Sequence, residues 1–141
     1  MAIPNVDINY LAVFVSAIVS MIIGFLWYSP ALFGKAWMKA GNMNMKDMDK
    51  AKKKGMGKLY FLAFIGALLM AFVLAYFVGY LTAYTFFEGM EVGAYIWLGF
   101  IFPVLLGSFL WEGRSVKYYL INVLYWLINL AVMGGILAIW Q

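Results

Sequence analysis

Four apolar stretches divide the chain, running roughly over Ile8–Tyr28, Leu59–Phe87, Val92–Leu110 and Tyr118–Trp140. Each reaches or nearly reaches the roughly 20 residues a helix needs to cross about 30 Å of hydrocarbon. No Asp, Glu, Lys or Arg falls in the middle of any of them. The pattern predicts an all-α integral membrane protein: a four-helix bundle formed as one domain over residues 1–141, with a basic loop over 31–58. The start of the chain carries no basic segment of the kind that precedes a cleaved signal, so the first stretch is expected to remain as a span.

The polar positions between the stretches orient the bundle. Lys35, Lys39, Lys46, Lys50, Lys52, Lys53, Lys54 and Lys58 lie between the first and second stretches, and Arg114 and Lys117 between the third and fourth. The remaining connections carry only Asp7, Glu88 and Glu91. Because retained loops collect Lys and Arg, both basic loops are expected in the cytoplasm and both termini on the outer side, and the Lys-, Met- and Asn-rich first loop suggests a prokaryotic cytoplasmic membrane. Aromatic residues fall at the expected interfaces: Tyr10, Tyr84, Tyr95 and Trp140 outside, and Trp27, Tyr28, Tyr60, Trp111 and Tyr118 inside.

Small residues set the expected packing. Ala12, Ser16, Ser20 and Gly24 recur every fourth residue in the first stretch, and Ala63, Ala67, Ala71, Ala75, Gly79 and Ala83 do so in the second. In lipid, helices associate where small side chains let backbones approach, so these two ridges predict an antiparallel hairpin of helices one and two. The competing reading places one ridge against a second copy of the chain.

In the third stretch, Pro103 stands between Gly99 and Gly107. Proline has no N–H to give the Gly99 carbonyl, which predicts a kink and a need for another donor, expected from Asn129 on the neighbouring span. On the fourth stretch, Tyr118, Asn122, Tyr125 and Asn129 share one helix face. Such a stripe lines a polar path or hydrogen-bonds between helices at about 1 kcal/mol each, and the second reading is favoured.

The first basic loop opens with Trp27-Tyr28-Ser29-Pro30, a sequence that ends or bends the span. Over Leu32–Lys39, Phe33 and Trp37 fall on one face with Lys35 and Lys39 roughly opposite, which predicts a short helix lying in the membrane interface. Asn44 with Asp47 then suggests a second, polar helix that closes at Lys52-Lys53-Lys54 and Gly55. Glu112 and Arg114 suggest a local ion pair.

Composition narrows the chemistry. The chain has neither His nor Cys, which removes the usual triads, the cysteine nucleophile and the histidine metal sites. None of its six acids is forced into the membrane interior, so none advertises a proton relay. No catalytic, cofactor or metal residue is assigned, and an enzyme is not expected. Met43, Met45 and Met48, with Met38 and Met56 nearby, are soft ligands that suit Cu(I), but ordinary packing is favoured for them. The net charge of +4 belongs beside anionic lipid, and without an aromatic stacking platform it does not point to nucleic acid.

Phe25-Leu26-Trp27 and Phe109-Leu110-Trp111 each close an odd-numbered span before a basic loop, which suggests two hairpins in tandem. The run Gly24-Phe25-Leu26-Trp27-Tyr28-Ser29-Pro30 with Phe33-Gly34-Lys35-Ala36-Trp37-Met38 resembles the N-terminal signature of an uncharacterised membrane family, domain of unknown function 1761. The second half is similar in Trp97-Leu98-Gly99-Phe100 with Pro103, in Glu112-Gly113-Arg114-Ser115 with Lys117, and in Met133-Gly134-Gly135-Ile136-Leu137 before Trp140. The resemblance implies a compact four-span protein standing alone, and it carries no activity. It also implies an Asp near the start of the last helix and a His just after its tyrosine, where this chain has Asn122 and Trp126. That departure favours a structural role over proton-linked work.

Two functions compete. The first is a non-enzymatic accessory or structural subunit, partnered by lipid and by other membrane proteins or copies of itself. The alternative is a small oligomeric transporter or channel that uses the kinked third helix and the polar stripe of the fourth. An enzyme acting on lipid ranks third, with no residue set to run it.

Overall fold

The computed structural model describes residues 3–42, 46, 49–50, 53 and 55–141. Among these residues it is all-helical, with no strand, and holds five helices. They are α1 (Tyr10–Trp27), the short α2 (Gly34–Ala40), α3 (Met56–Tyr80), α4 (Phe86–Leu110) and α5 (Val116–Ile139). Four of them, all but α2, are long and apolar enough to cross a membrane. Asn44, Asp47, Lys52 and Lys54, on which the expected second polar helix depends, lie outside the described residues, as do Met43, Met45 and Met48.

Local chemistry fixes the helix ends. The Asn9 side chain caps α1 by accepting from the N–H groups of Leu11 (3.1 Å) and Ala12 (3.2 Å). α3 stops at Tyr80, and Thr82 takes a left-handed conformation (φ 53°) that turns the chain. Thr85 and Glu88 then form a reciprocal capping box: Thr85 Oγ1 accepts from Glu88 N–H (3.2 Å), and Glu88 Oε2 accepts from Thr85 N–H (3.0 Å). Residues 81–87, read from hydropathy as the end of the second span, therefore form a turn and the first residues of α4. Glu88 and Glu91 sit on that helix rather than in a loop, and Ala83 lies beyond the helix whose ridge it was expected to extend.

The third span contains a wide π turn over Trp97–Ile101, closed by Phe102 N–H bonding to the Trp97 carbonyl. A local register shift of this kind absorbs the donor that Pro103 cannot supply. Two side chains of α5 and α4 brace the segment: Trp97 Nε1 donates to the Val123 carbonyl (2.7 Å), and Tyr119 Oη donates to the Phe102 carbonyl (2.9 Å). Gly99 is exposed with no non-neighbouring atom near its missing side chain, so it lies away from Asn129.

α5 is the central helix and touches each of the others. Leu130, Met133 and Leu137 of α5 bury against Leu74 and Val78 of α3, with Ala12 and Val13 of α1 and Val92 of α4 closing the core. The closest approach is between α4 and α5. A Cβ on Gly89 would fall onto the Gly134 carbonyl, one on Gly93 onto the Leu130 carbonyl, and one on Gly135 would meet the Phe86 ring at 2.5 Å. These glycines let two backbones lie almost in contact, which is the means by which helices hold together in lipid.

α1 and α3 run antiparallel, joined by the ring pairs Phe14–Phe64 (5.9 Å) and Phe25–Tyr60 (5.1 Å). Their small-residue ridges divide between partners. Ala12, Ser16, Ser20 and Ala71 are buried, and Ala67 and Ala75 are half-buried. Gly24 faces Tyr125 of α5, Gly79 faces Val6 of the N-terminal segment, and Ala63 is exposed. The matching tripeptides of the two hairpins also differ in use, since the Trp27 indole donates to the Ile121 carbonyl (3.0 Å) whereas Trp111 is 86% exposed.

Candidate functional site

The polar and aromatic residues singled out by the sequence converge where α1, α2 and α5 meet, at the end of the bundle that carries the basic loops. The turn between α1 and α2 makes this possible. Phe33 N–H bonds to the Trp27 carbonyl (3.0 Å), Gly34 N–H to the Ser29 carbonyl (2.9 Å), and the Trp27 and Phe33 rings pack at a tilt with centroids 4.5 Å apart. A Cβ on Gly34 would strike the Tyr28 and Ser29 backbone, so only glycine lets α2 fold back this tightly. Pro30 sits exposed at the tip of the turn, and Lys35 projects outward from α2.

Folding back delivers Trp37 to α5. Its ring stacks on Tyr118 (6.4 Å) and meets Tyr28 edge-on (5.2 Å), while Tyr28 in turn packs on Tyr125 (5.2 Å). The Tyr28 hydroxyl donates to Asn122 Oδ1 at 2.7 Å, a direct bond between the end of α1 and the middle of the stripe on α5. Asn129 is wholly buried, and its amide donates to the Tyr125 hydroxyl (3.2 Å) one turn back on the same helix rather than to the Gly99 region. The Tyr125 hydroxyl lies against Gly24 within reach of Ser20.

Among the described residues, three side-chain polar atoms are buried without a hydrogen-bond partner: Ser16 Oγ on α1, Trp37 Nε1 on α2 and Asn129 Oδ1 on α5. Beside the cluster opens a cleft of about 450 Å³ whose lining includes Gly24, Tyr28, Trp37, Met56, Tyr60 and Tyr125. Aromatic faces with hydroxyl tips suit an apolar chain or ring that carries a hydrogen-bonding group. The Tyr and Asn side chains here can bind and orient a ligand by hydrogen bonds. Met56 lines the cleft, and Met38 is half-buried on α2.

The two basic connections also meet here. Arg114 Nη1 donates to the Gly41 carbonyl (3.0 Å), its guanidinium lies 5.0 Å from the centre of the Tyr118 ring, and Ser115 Oγ reaches the Ala40 carbonyl (3.4 Å). Arg114 therefore binds the end of α2 in place of the expected pairing with Glu112. A guanidinium at a helix C-terminus complements the exposed carbonyls there. Separation by more than 70 residues hides this contact from sequence. The glycines between α4 and α5 had a signal, the Gly89-x-x-x-Gly93 spacing opposite Gly134-Gly135, but Gly89 fell in the connection read as a loop, outside the third stretch that holds Gly93.

Neither the curated proteins nor the solved structures contain a match to the chain. The model of a family described as a protein of unknown function, DUF1761, matches residues 11–138, which take in the turn, the cluster and nearly all of the four long helices, and the chain belongs to that family.

Proposed function

We propose that this chain is a small, non-catalytic integral membrane protein that works by contact with other membrane proteins, as an accessory subunit or as a homo-oligomer. The observation that carries the reading is the uneven burial of the spans: only 6% of the apolar window of α4 is buried, against 50% for α5. α4 is pinned to the bundle along one side and offers the other, where Gly99 leaves bare backbone and Phe100 and Val104 stand out at 69% and 71% exposure. Small residues beside large apolar ones favour close helix–helix contact in lipid. Meanwhile Asn122 is occupied in bracing the fold, which leaves less of the polar stripe for a transport path.

Both basic loops belong in the cytoplasm on this reading, with α2 in the inner interface and both termini outside. Its support is that all ten Lys and Arg lie within 35–58 and 114–117. Native mass spectrometry on gently extracted protein tests the function. A stable partner or a defined homo-oligomer is expected, and a strictly monomeric, partnerless protein contradicts it.

A second reading, an oligomeric transporter or channel, is favoured by the π turn beside Pro103 and by the unpartnered Ser16 Oγ and Asn129 Oδ1. Liposome flux that disappears in Asn129→Leu supports it, and flux equal to that of empty liposomes rules it out.

A further inference from the structure

A second pocket, lined by none of the residues of the aromatic cleft, lies apart from it. It has a volume of about 880 Å³ and opens at the basic end, between the last turn of α2 and the connection from α4 to α5. Its lining includes Lys39, Asn42, Glu112, Arg114, Ser115 and Lys117. Three cations and one carboxylate give this concavity an excess of positive charge.

The cations are held unequally. Arg114 is fixed by the Gly41 carbonyl and the Tyr118 ring, which use one nitrogen and one face of the guanidinium and leave further N–H groups for a ligand. Lys39 and Lys117, both in the lining, are exposed, one in the last turn of α2 and one in the first turn of α5. Ser115 caps that helix, its Oγ accepting from Tyr118 N–H (3.1 Å), so the positive end of the α5 dipole adds to the same field. A planar fork beside two point charges matches the oxygens of a phosphate ester.

We propose that this pocket is a phosphate-ester site, held by Lys39, Arg114 and Lys117. At the end of a set of membrane-spanning helices the same chemistry reaches it from two sources, an anionic lipid headgroup or a soluble phosphate. Glu112 opposes the anion and moderates the affinity. Lys35, on α2 but outside the pocket, contributes nothing specific.

The test uses the full chain in mild detergent with two probes measured separately. Dioleoylphosphatidylglycerol retention is read by native mass spectrometry against dioleoylphosphatidylcholine, and inorganic phosphate binding is read by calorimetry. The Lys39→Gln/Lys117→Gln variant is expected to lose about tenfold or more in affinity for whichever probe binds. Loss with the lipid alone assigns the site to a headgroup, and loss with inorganic phosphate assigns it to a soluble ligand. Lys35→Gln is expected to bind as the parent does, and Glu112→Gln more tightly, which keeps the test informative should the double variant fold poorly. Equal retention of the two lipids together with no phosphate binding overturns the proposal. So does equal loss in Lys35→Gln, or binding unchanged by the double substitution.

Discussion

Gly34 and the Tyr28–Asn122 pair carry the residue-scale chemistry of the basic end. Replacing Gly34 by Ala places a methyl group onto the Tyr28–Ser29 backbone. Overpacking of this kind costs about 1–3 kcal/mol, so Gly34→Ala is expected to melt below the parent in detergent and to weaken the Trp37–Tyr118 stack. The Tyr28–Asn122 bond is tested by a double-mutant cycle. Tyr28→Phe and Asn122→Leu should show a coupling of roughly 1 kcal/mol in reversible unfolding, and a coupling near zero would mean the bond is not formed. Helical spacing alone put Asn122 on a polar face and Trp37 on the apolar face of a short helix, but did not identify their partners Tyr28 and Tyr118. The partner of Asn129 was not legible either, because helical spacing puts Asn129 and Tyr125 on one face without saying whether the amide bonds along that face or across to another helix; it bonds to the Tyr125 hydroxyl one turn back. Arg114 was misread for a related reason: Glu112 is close in sequence, but Gly41 and Tyr118 are close in space.

At the scale of elements, α4 and α5 hold together through glycine and α1 and α3 through aromatic rings. Gly93→Leu forces apart two backbones that leave no space for even a Cβ, and is expected to cost about 1–3 kcal/mol or more. Gly66→Ala, on α3, meets nothing within 4 Å and adds helix propensity, so its melting temperature should equal or exceed that of the parent. The reverse order in thermal unfolding would contradict the packing described here. Hydropathy located all four long apolar helices and misplaced the boundary between the second and third, Phe87 for Tyr80 and Val92 for Phe86, by nearly two turns. Phe86 and Phe87 extend an apolar run across the Thr85–Glu88 box, and an average over apolarity does not register a cap. The ridge on α1 was legible as a packing surface, but periodicity marks a face without saying which neighbour it meets; Gly24 turned out to meet α5.

For the whole molecule, the two basic connections lie at one end and are tied to each other through Arg114, while the N-terminal segment and Gln141 lie near the opposite turn. Gln141 Nε2 donates to the Ala83 carbonyl, and the Tyr76 hydroxyl donates to the Pro4 carbonyl. An alkaline phosphatase reporter at the C-terminus, active only outside the cytoplasm, is expected to be active, and a fluorescent reporter that matures only inside is expected to be dark. The opposite pair of results would invert the proposed orientation. Fold class was legible because lipid imposes helices of a set length on any spanning chain. Function was less so, because contact surfaces in lipid are as apolar as the surfaces that face only lipid.

The proposal that α4 is a contact helix is tested most directly in the native membrane. The chain has no cysteine of its own, so Val104→Cys and the control Leu69→Cys each give one attachment point for a maleimide photocrosslinker. The two positions are comparably exposed, at 71% on α4 and 65% on α3. Illumination should convert the α4-labelled protein into a discrete product of dimer or partner size and leave the α3-labelled protein mostly at monomer size. Monomer-sized lipid adducts from both positions would contradict a contact role for α4.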